Sequence, residues 1–237
     1  MTDAPEIVPH EPETYDEELL SALAISHETD EARLARMRSE LTFGFRTLSK
    51  VGPAVSIFGS ARTPEGHPEY ELARETARLL GESGLAIITG GGPGIMEAAN
   101  RGARDAGVTS VGLGIDLPFE VGFNPYVDLP IEFHYFFIRK VMFVRYAGAF
   151  VVFPGGFGTF DELFEALTLI QTRKIRHFPL ILVGSDWWSG LVEWLEARVL
   201  GDGKISPEDT LLFRVTDEPE EVVRLAAPAL RHRRAAA

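Results

Sequence analysis

The sequence has no cysteine. Disulfides, thiolate metal sites and a cysteine nucleophile are therefore excluded. Lysine is scarce, with Lys50, Lys140, Lys174 and Lys204 as the only four. No apolar run approaches the roughly 18 residues that a membrane helix needs, so no membrane partner is expected. The opening residues, MTDAPEIVPHEPE, have neither a basic n-region nor an apolar h-region. They do not read as a secretory signal, and a cytoplasmic location is expected. The histidines (His10, His27, His67, His134, His177 and His232) fall in no HExxH and no i,i+4 pair, so no metal is expected. A GxSxG elbow and a GxxxxGKS/T loop are both missing, which removes the usual α/β-hydrolase nucleophile and the P-loop NTPases.

Lysine and arginine are absent from the first 32 positions, which hold ten acids. The formal charge of −12 thus belongs to a tail, because the remainder carries 25 acids against 23 bases. A body so close to neutral is not a general nucleic-acid binder. What is present suits a soluble globular chain: 237 residues, 45% of them hydrophobic, enough for one good-sized core.

Residues 1–27, with Pro5, Pro9 and Pro12 among acids, read as a disordered acidic tail. Over 28–50, Leu34, Met37, Leu41, Phe45 and Leu48 recur at helical spacing, predicting an amphipathic helix with a stripe to bury. Residues 51–230 then alternate strands and helices, and 231–237 form a C-terminal tail. Strands are expected at 54–60, 85–91, 109–115, 149–153, 178–185 and 211–215, with helices between them. Residues 116–132 read as a long functional loop and 133–148 as a helix. The alternation predicts a single doubly wound, Rossmann-like α/β domain with a parallel sheet.

The chain is organised around AFVVFPGGFGTFDELFEAL, residues 149–167. A buried strand, a glycine turn and a helix opening on Thr159 would bring free amides and a positive dipole end to the sheet's carboxyl edge, where α/β proteins bind phosphate. Gly155, Gly156 and Gly158 allow close approach of an anion to the main chain. Asp161 and Glu162 follow at once. Thr159 and Glu162 also fit a capping box, worth ~1 kcal/mol to the helix, and spacing does not separate the two readings.

A second junction, TGGGPGIMEAANRGA at 89–103, lacks the dinucleotide fingerprint, since Ile95 stands where the third glycine is needed. In FFIRKVMF, Arg139 and Lys140 lie on a helix apolar nearly all round, so an anion should face them, either an acidic side chain or a substrate phosphate. In FGSAR, Ser60 and Arg62 close the first strand within reach of an anion, or cap and face solvent. Lys140 as a Schiff-base lysine finds no pyridoxal phosphate pocket around it in the sequence, so decarboxylation is not expected.

PGGFGTFDE resembles the PGGxGTxxE motif of the LONELY GUY family, cytokinin riboside 5'-monophosphate phosphoribohydrolases long mislabelled lysine decarboxylases. The RK of FFIRK and GGGPGIM extend the resemblance over roughly residues 50–200. It implies catalytic roles for Arg139 and Glu162. It also implies a pocket built from Gly155, Gly156, Gly158, Thr159, Lys140, Asp161, Glu120, Gly91, Gly92, Met96, Ser60 and, more weakly, Thr168. Gly94 also occupies a pocket position of the GGGPGIM motif, with close helix–strand packing as its alternative role. The implied reaction is N-glycosidic hydrolysis of a nucleoside 5'-monophosphate by a homodimer or higher homo-oligomer, with no metal or organic cofactor. The other reading is a nucleotide- or cofactor-binding protein on the same fold without turnover, like the molybdenum-cofactor carriers.

Overall fold

The computed structural model describes residues 29–116, 122–175 and 178–231. The acidic tail, Glu120 and most of the C-terminal tail lie outside these residues. Seven parallel strands form one sheet: β1 (Ala54–Phe58), β2 (Ala86–Thr89), β3 (Ser110–Ile115), β4 (Leu129–Phe133), β5 (Phe150–Val152), β6 (Leu180–Val183) and β7 (Arg214–Thr216). Their spatial order is β4-β3-β2-β1-β5-β6-β7. The chain thus winds outward from β1 to one edge, returns to β5, and winds outward to the other. The switch lies between β1 and β5, with Ser56 paired to Phe150 and Phe58 to Val152. Open α/β sheets bind ligands at this point.

The central strands are apolar on both faces, as a sheet covered on two sides requires. Side chains alternate: Val55 and Ile57 enter one core cluster, while Ala54 and Phe58 enter the other. The first cluster is closed by α2 (Pro68–Glu82), α3 (Ile95–Asp105) and α7 (Pro219–Ala226). The second is closed by α1 (Asp30–Leu48), α4 (Phe136–Tyr146), α5 (Phe157–Gln171) and α6 (Ser185–Trp194), the last through the buried indole of Trp188.

Four expectations need correction. Residues 116–132 are not loop throughout, because β4 pairs with β3 from Val111 opposite Leu129. The strand tolerates Pro130 because it lies at the sheet edge, with a free side on which a missing N–H costs nothing. The strand expected at 178–185 is extended only over Leu180–Val183, the helix after it starts at Ser185, and Leu195–Leu200 beyond that helix is wound as a π-helix. Only Arg214–Thr216 of the last strand is extended, since Pro207–Leu211 forms a 3₁₀ turn. The stripe of α1 is only partly covered. Met37, Leu41 and Leu48 pack on the core, with Gly44 against Met142, while Leu34 and Phe45 remain exposed.

Candidate active site

The carboxyl ends of β1, β2 and β5 open into a cavity of about 610 Å³. That is ample for a mononucleotide. Its lining combines the β1 loop (Gly59, Ser60, Ala61 and Arg62), the glycines Gly90 and Gly92 with Met96, and the first two turns of α5. Arg139 enters from α4 among Phe136 and Phe143.

The start of α5 differs from the capping-box expectation. Gly156, extended at φ −91° and ψ −159°, is the N-cap residue, and the helix begins at Phe157. The amides of Thr159 and Phe160 both donate to Gly156 O, at 3.0 and 3.1 Å. Thr159 is therefore the third helical residue and cannot cap. The physical reason lies beside it: Thr159 packs over the bare α-carbon of Gly155, where a Cβ would fall 2.1 Å from Thr159 Oγ1. Gly155 serves this turn and does not line the cavity, whereas Gly156, Gly158 and Thr159 do. Starting the helix early moves Glu162 into its second turn. There it lines the cavity at only 4% exposure. The amides of Phe157 and Gly158, the first two of the helix, have no intrahelical acceptor, so this end of the cavity favours an anion.

Burial is the largest influence on Glu162 and pushes its carboxyl up to about 7, with Lys140 and Arg139 pulling down and Glu165 and Asp161 pushing up. Glu162 Oε2 has no hydrogen-bond partner among the described residues. A carboxyl so placed exchanges a proton near neutrality, which suits a general acid or base. The Arg139 guanidinium lies over the Phe136 ring at 5.0 Å from its centroid, and 5.9 Å from that of Phe143.

Arg139 and Lys140 do not act as a pair. Successive residues of a helix point about 100° apart, and Lys140 turns into a neighbouring hollow lined by Phe157, Asp161, Phe164, Glu165 and Thr168. Its ammonium lies 2.9 Å from Asp161 Oδ2, 2.8 Å from Glu165 Oε2 and 3.9 Å from Glu162 Oε1. Burial alone would lower the Lys140 ammonium, but its short contacts with the Glu165 and Asp161 carboxylates and the Glu162 charge outweigh it and hold it above its ordinary range. A lysine held protonated is a poor Schiff-base nucleophile. Asp161 and Thr168 belong to this hollow too, and the Thr168 hydroxyl donates to Phe164 O at 2.7 Å.

The other glycine junction is mostly scaffold. Gly94 has φ +69°, and a Cβ there would fall 2.3 Å from Ser60 O, so close packing is its role. Ser60 itself is fixed from two sides, its amide donating to Pro154 O at 2.9 Å and its carbonyl accepting from Ile95 N at 3.0 Å. Gly91, at φ +77°, faces the Phe123 ring rather than the cavity. Sequence reasoning missed what holds this loop. Asn124 Nδ2 donates to Gly91 O, Gly92 O and Asn100 Oδ1 at 3.0, 2.9 and 2.9 Å, and Asn100 Oδ1 also accepts from the Thr89 hydroxyl. The apolar lining, with Phe58, Ile115, Phe136 and Phe143, was missed as well, since core and pocket aromatics look alike in a sequence.

Comparison with known proteins places these features. A family profile described as possible lysine decarboxylase matches residues 96–226. A cytokinin riboside 5'-monophosphate phosphoribohydrolase of Mycobacterium tuberculosis is 30% identical, covering 71% of this chain and 91% of the relative. A pyrimidine/purine nucleotide 5'-monophosphate nucleosidase of Escherichia coli K12 is 36% identical over 56% of this chain. The match spans only 32% of that longer protein. Among solved structures, the molybdenum cofactor carrier protein of Chlamydomonas reinhardtii superposes with a TM-score of 0.55 at 22% identity, over 76% of this chain and 99% of the carrier. That likeness is one of fold.

Proposed function

The chain belongs to the family described as possible lysine decarboxylases, the LONELY GUY group, and from that premise we propose that it hydrolyses the N-glycosidic bond of an adenosine 5'-monophosphate, plain or N6-substituted. The products are the free base and ribose 5-phosphate. One observation carries the reading: a buried carboxyl, Glu162, shares one mononucleotide-sized cavity with Arg139 and with the amide-bearing start of α5.

The proposed course follows from that arrangement. The 5'-phosphate binds at Gly156, Gly158 and Thr159, and its binding energy fixes the ribose. The C1'–N bond breaks with its electron pair leaving on the base, and positive character grows on the ribose. Glu162 as the carboxylate stabilises that charge and orients water, as in glycoside hydrolysis. Water adds to C1' and gives its proton to Glu162, the departing base takes up a proton from solvent to become the neutral free base, and Glu162 returns its own proton to solvent. Arg139 holds the ribose or phosphate and offsets negative charge on the departing base. Phe58, Ile115, Phe136 and Phe143 supply an apolar wall for the base. No step calls for a metal or organic cofactor. Incubation of the pure protein with AMP tests this, with chromatography for adenine and ribose 5-phosphate. Saturable AMP binding with no adenine released would mark a binding protein instead.

A further inference from the structure

We propose that Glu165 is a positioning residue that, together with Asp161, holds the Lys140 ammonium away from Glu162 and so sets where Glu162 gives up its proton. The geometry is particular to these four side chains. Asp161 and Glu165 are four residues apart and share one face of α5, while Glu162 is turned about 100° from Asp161. Lys140 comes from α4 and makes its short contacts with the outer pair, at 2.9 Å to Asp161 and 2.8 Å to Glu165. Glu162 is left at 3.9 Å, beyond hydrogen-bond reach. The buried carboxyl thus has a cation close by, and that cation is engaged elsewhere.

Every charged group around Glu162 enters the balance. Arg139 and Lys140 face it from α4, Asp161 and Glu165 from its own helix, and Arg62 of the β1 loop lines the same cavity. Neutralising Glu165 changes two things in one direction. A like charge disappears, and Lys140 gains a free donor that can close on Glu162. Both favour the carboxylate. Asp161→Asn acts the same way but less, because Asp161 is 60% exposed against 34% for Glu165.

The inference deepens the proposed hydrolysis and rests on the role given there to Glu162, so its test includes a readout independent of turnover. The full chain is labelled with 13C at glutamate carboxyls, and the Glu162 resonance is assigned by its loss in Glu162→Gln. In Glu165→Gln the Glu162 titration midpoint is expected to fall by about one pH unit or more, the usual effect of a charge at this range. Glu165→Asp keeps the charge and is expected to stay near wild type. The rate rises with pH as Glu162 ionises, so the ascending limb of kcat/KM for AMP is expected to move down with the midpoint. An unmoved Glu162 midpoint in both folded Glu165→Gln and folded Asp161→Asn overturns the inference. A midpoint that moves while the rate profile stays put upholds the role of Glu165 and removes Glu162 from the chemistry.

Discussion

Thr159 and Gly155 are one structural unit, the threonine side chain occupying the space where a Cβ on the glycine would stand, 2.1 Å from Thr159 Oγ1. Gly155→Ala must push Thr159 aside and with it the first turn of α5. Overpacking of this kind costs ~1–3 kcal/mol. Gly158 is the contrast, because a Cβ there would meet nothing within 4 Å and the residue borders the cavity. Gly158→Ala is expected to fold at least as well as wild type, since alanine is favoured over glycine in a helix by about 1 kcal/mol. It should nevertheless bind AMP more weakly. Thermal melts and AMP titrations on both variants check this, and Gly158→Ala with unchanged affinity would take that glycine out of the phosphate site.

Glu162→Ala is expected to keep AMP binding and lose turnover by ~10²–10⁴, the range for a positioned acid or base. The helix start does not depend on Glu162, which lies beyond the first turn. Normal specific activity in a folded sample would end the catalytic assignment.

The same carboxyl predicts a pH-dependent stability. Its folded-state value is raised from 4.5 to about 7, so the native state holds a proton that the unfolded chain has released. The contribution is full below pH 4.5 and is lost as pH rises through about 7. A shift of that size corresponds to about 3 kcal/mol at most. Glu162→Gln, neutral at every pH, should match wild type near pH 4 and exceed it at pH 8. Urea unfolding at the two pH values decides, and equal wild-type and variant stabilities at pH 8 would contradict it.

Much of this was legible in the sequence, and the parts that were not have physical reasons. The glycine junctions after β2 and β5 and the apolar strands sufficed for the parallel sheet. β4 fell inside the stretch read as a loop, because it contains Pro130, which a strand tolerates only on an edge, and sequence does not say which strand is the edge. The start of α5 was misjudged because threonine is the stronger capping signal, although Gly156 is the residue that caps. Arg139 and Lys140 were seen as cations needing anions, and Lys140 has three carboxylates around it. Their separation into two hollows depends on where α5 lies, which periodicity along α4 does not reveal. Asn124 was invisible for a related reason. Two of its partners are backbone carbonyls 33 and 32 residues earlier.

A homodimer is expected, and several large apolar side chains stand uncovered for it. Phe157 is 96% exposed, with Phe137, Val141 and Trp187 also uncovered on α4 and α6. Where exposed apolar side chains gather into a patch, they usually meet a partner. Light scattering should give twice 26.1 kDa for wild type, and Phe137→Asp with Val141→Asp should shift it toward one chain. A monomeric wild type would end the expectation.

The phosphate requirement is the most demanding test. If the start of α5 receives the 5'-phosphate, AMP should be a substrate and adenosine nearly inert. Each charge-assisted hydrogen bond is worth roughly 1.5–3 kcal/mol, so two or three lost together forfeit several kcal/mol. At about 1.4 kcal/mol per decade, that is on the order of a thousandfold or more in kcat/KM. Thr159 lines this part of the cavity and also braces Gly155, so Thr159→Ala removes a hydroxyl and loosens the turn without removing a cap. It should therefore narrow the gap between AMP and adenosine mainly by slowing AMP. Thr159→Ser keeps the hydroxyl and is expected to hold most of the preference. Four rates settle the matter, AMP and adenosine for wild type and for Thr159→Ala. Equal wild-type rates on the two substrates would mean that the glycines serve only the turn, and the phosphoribohydrolase reading would fall with them.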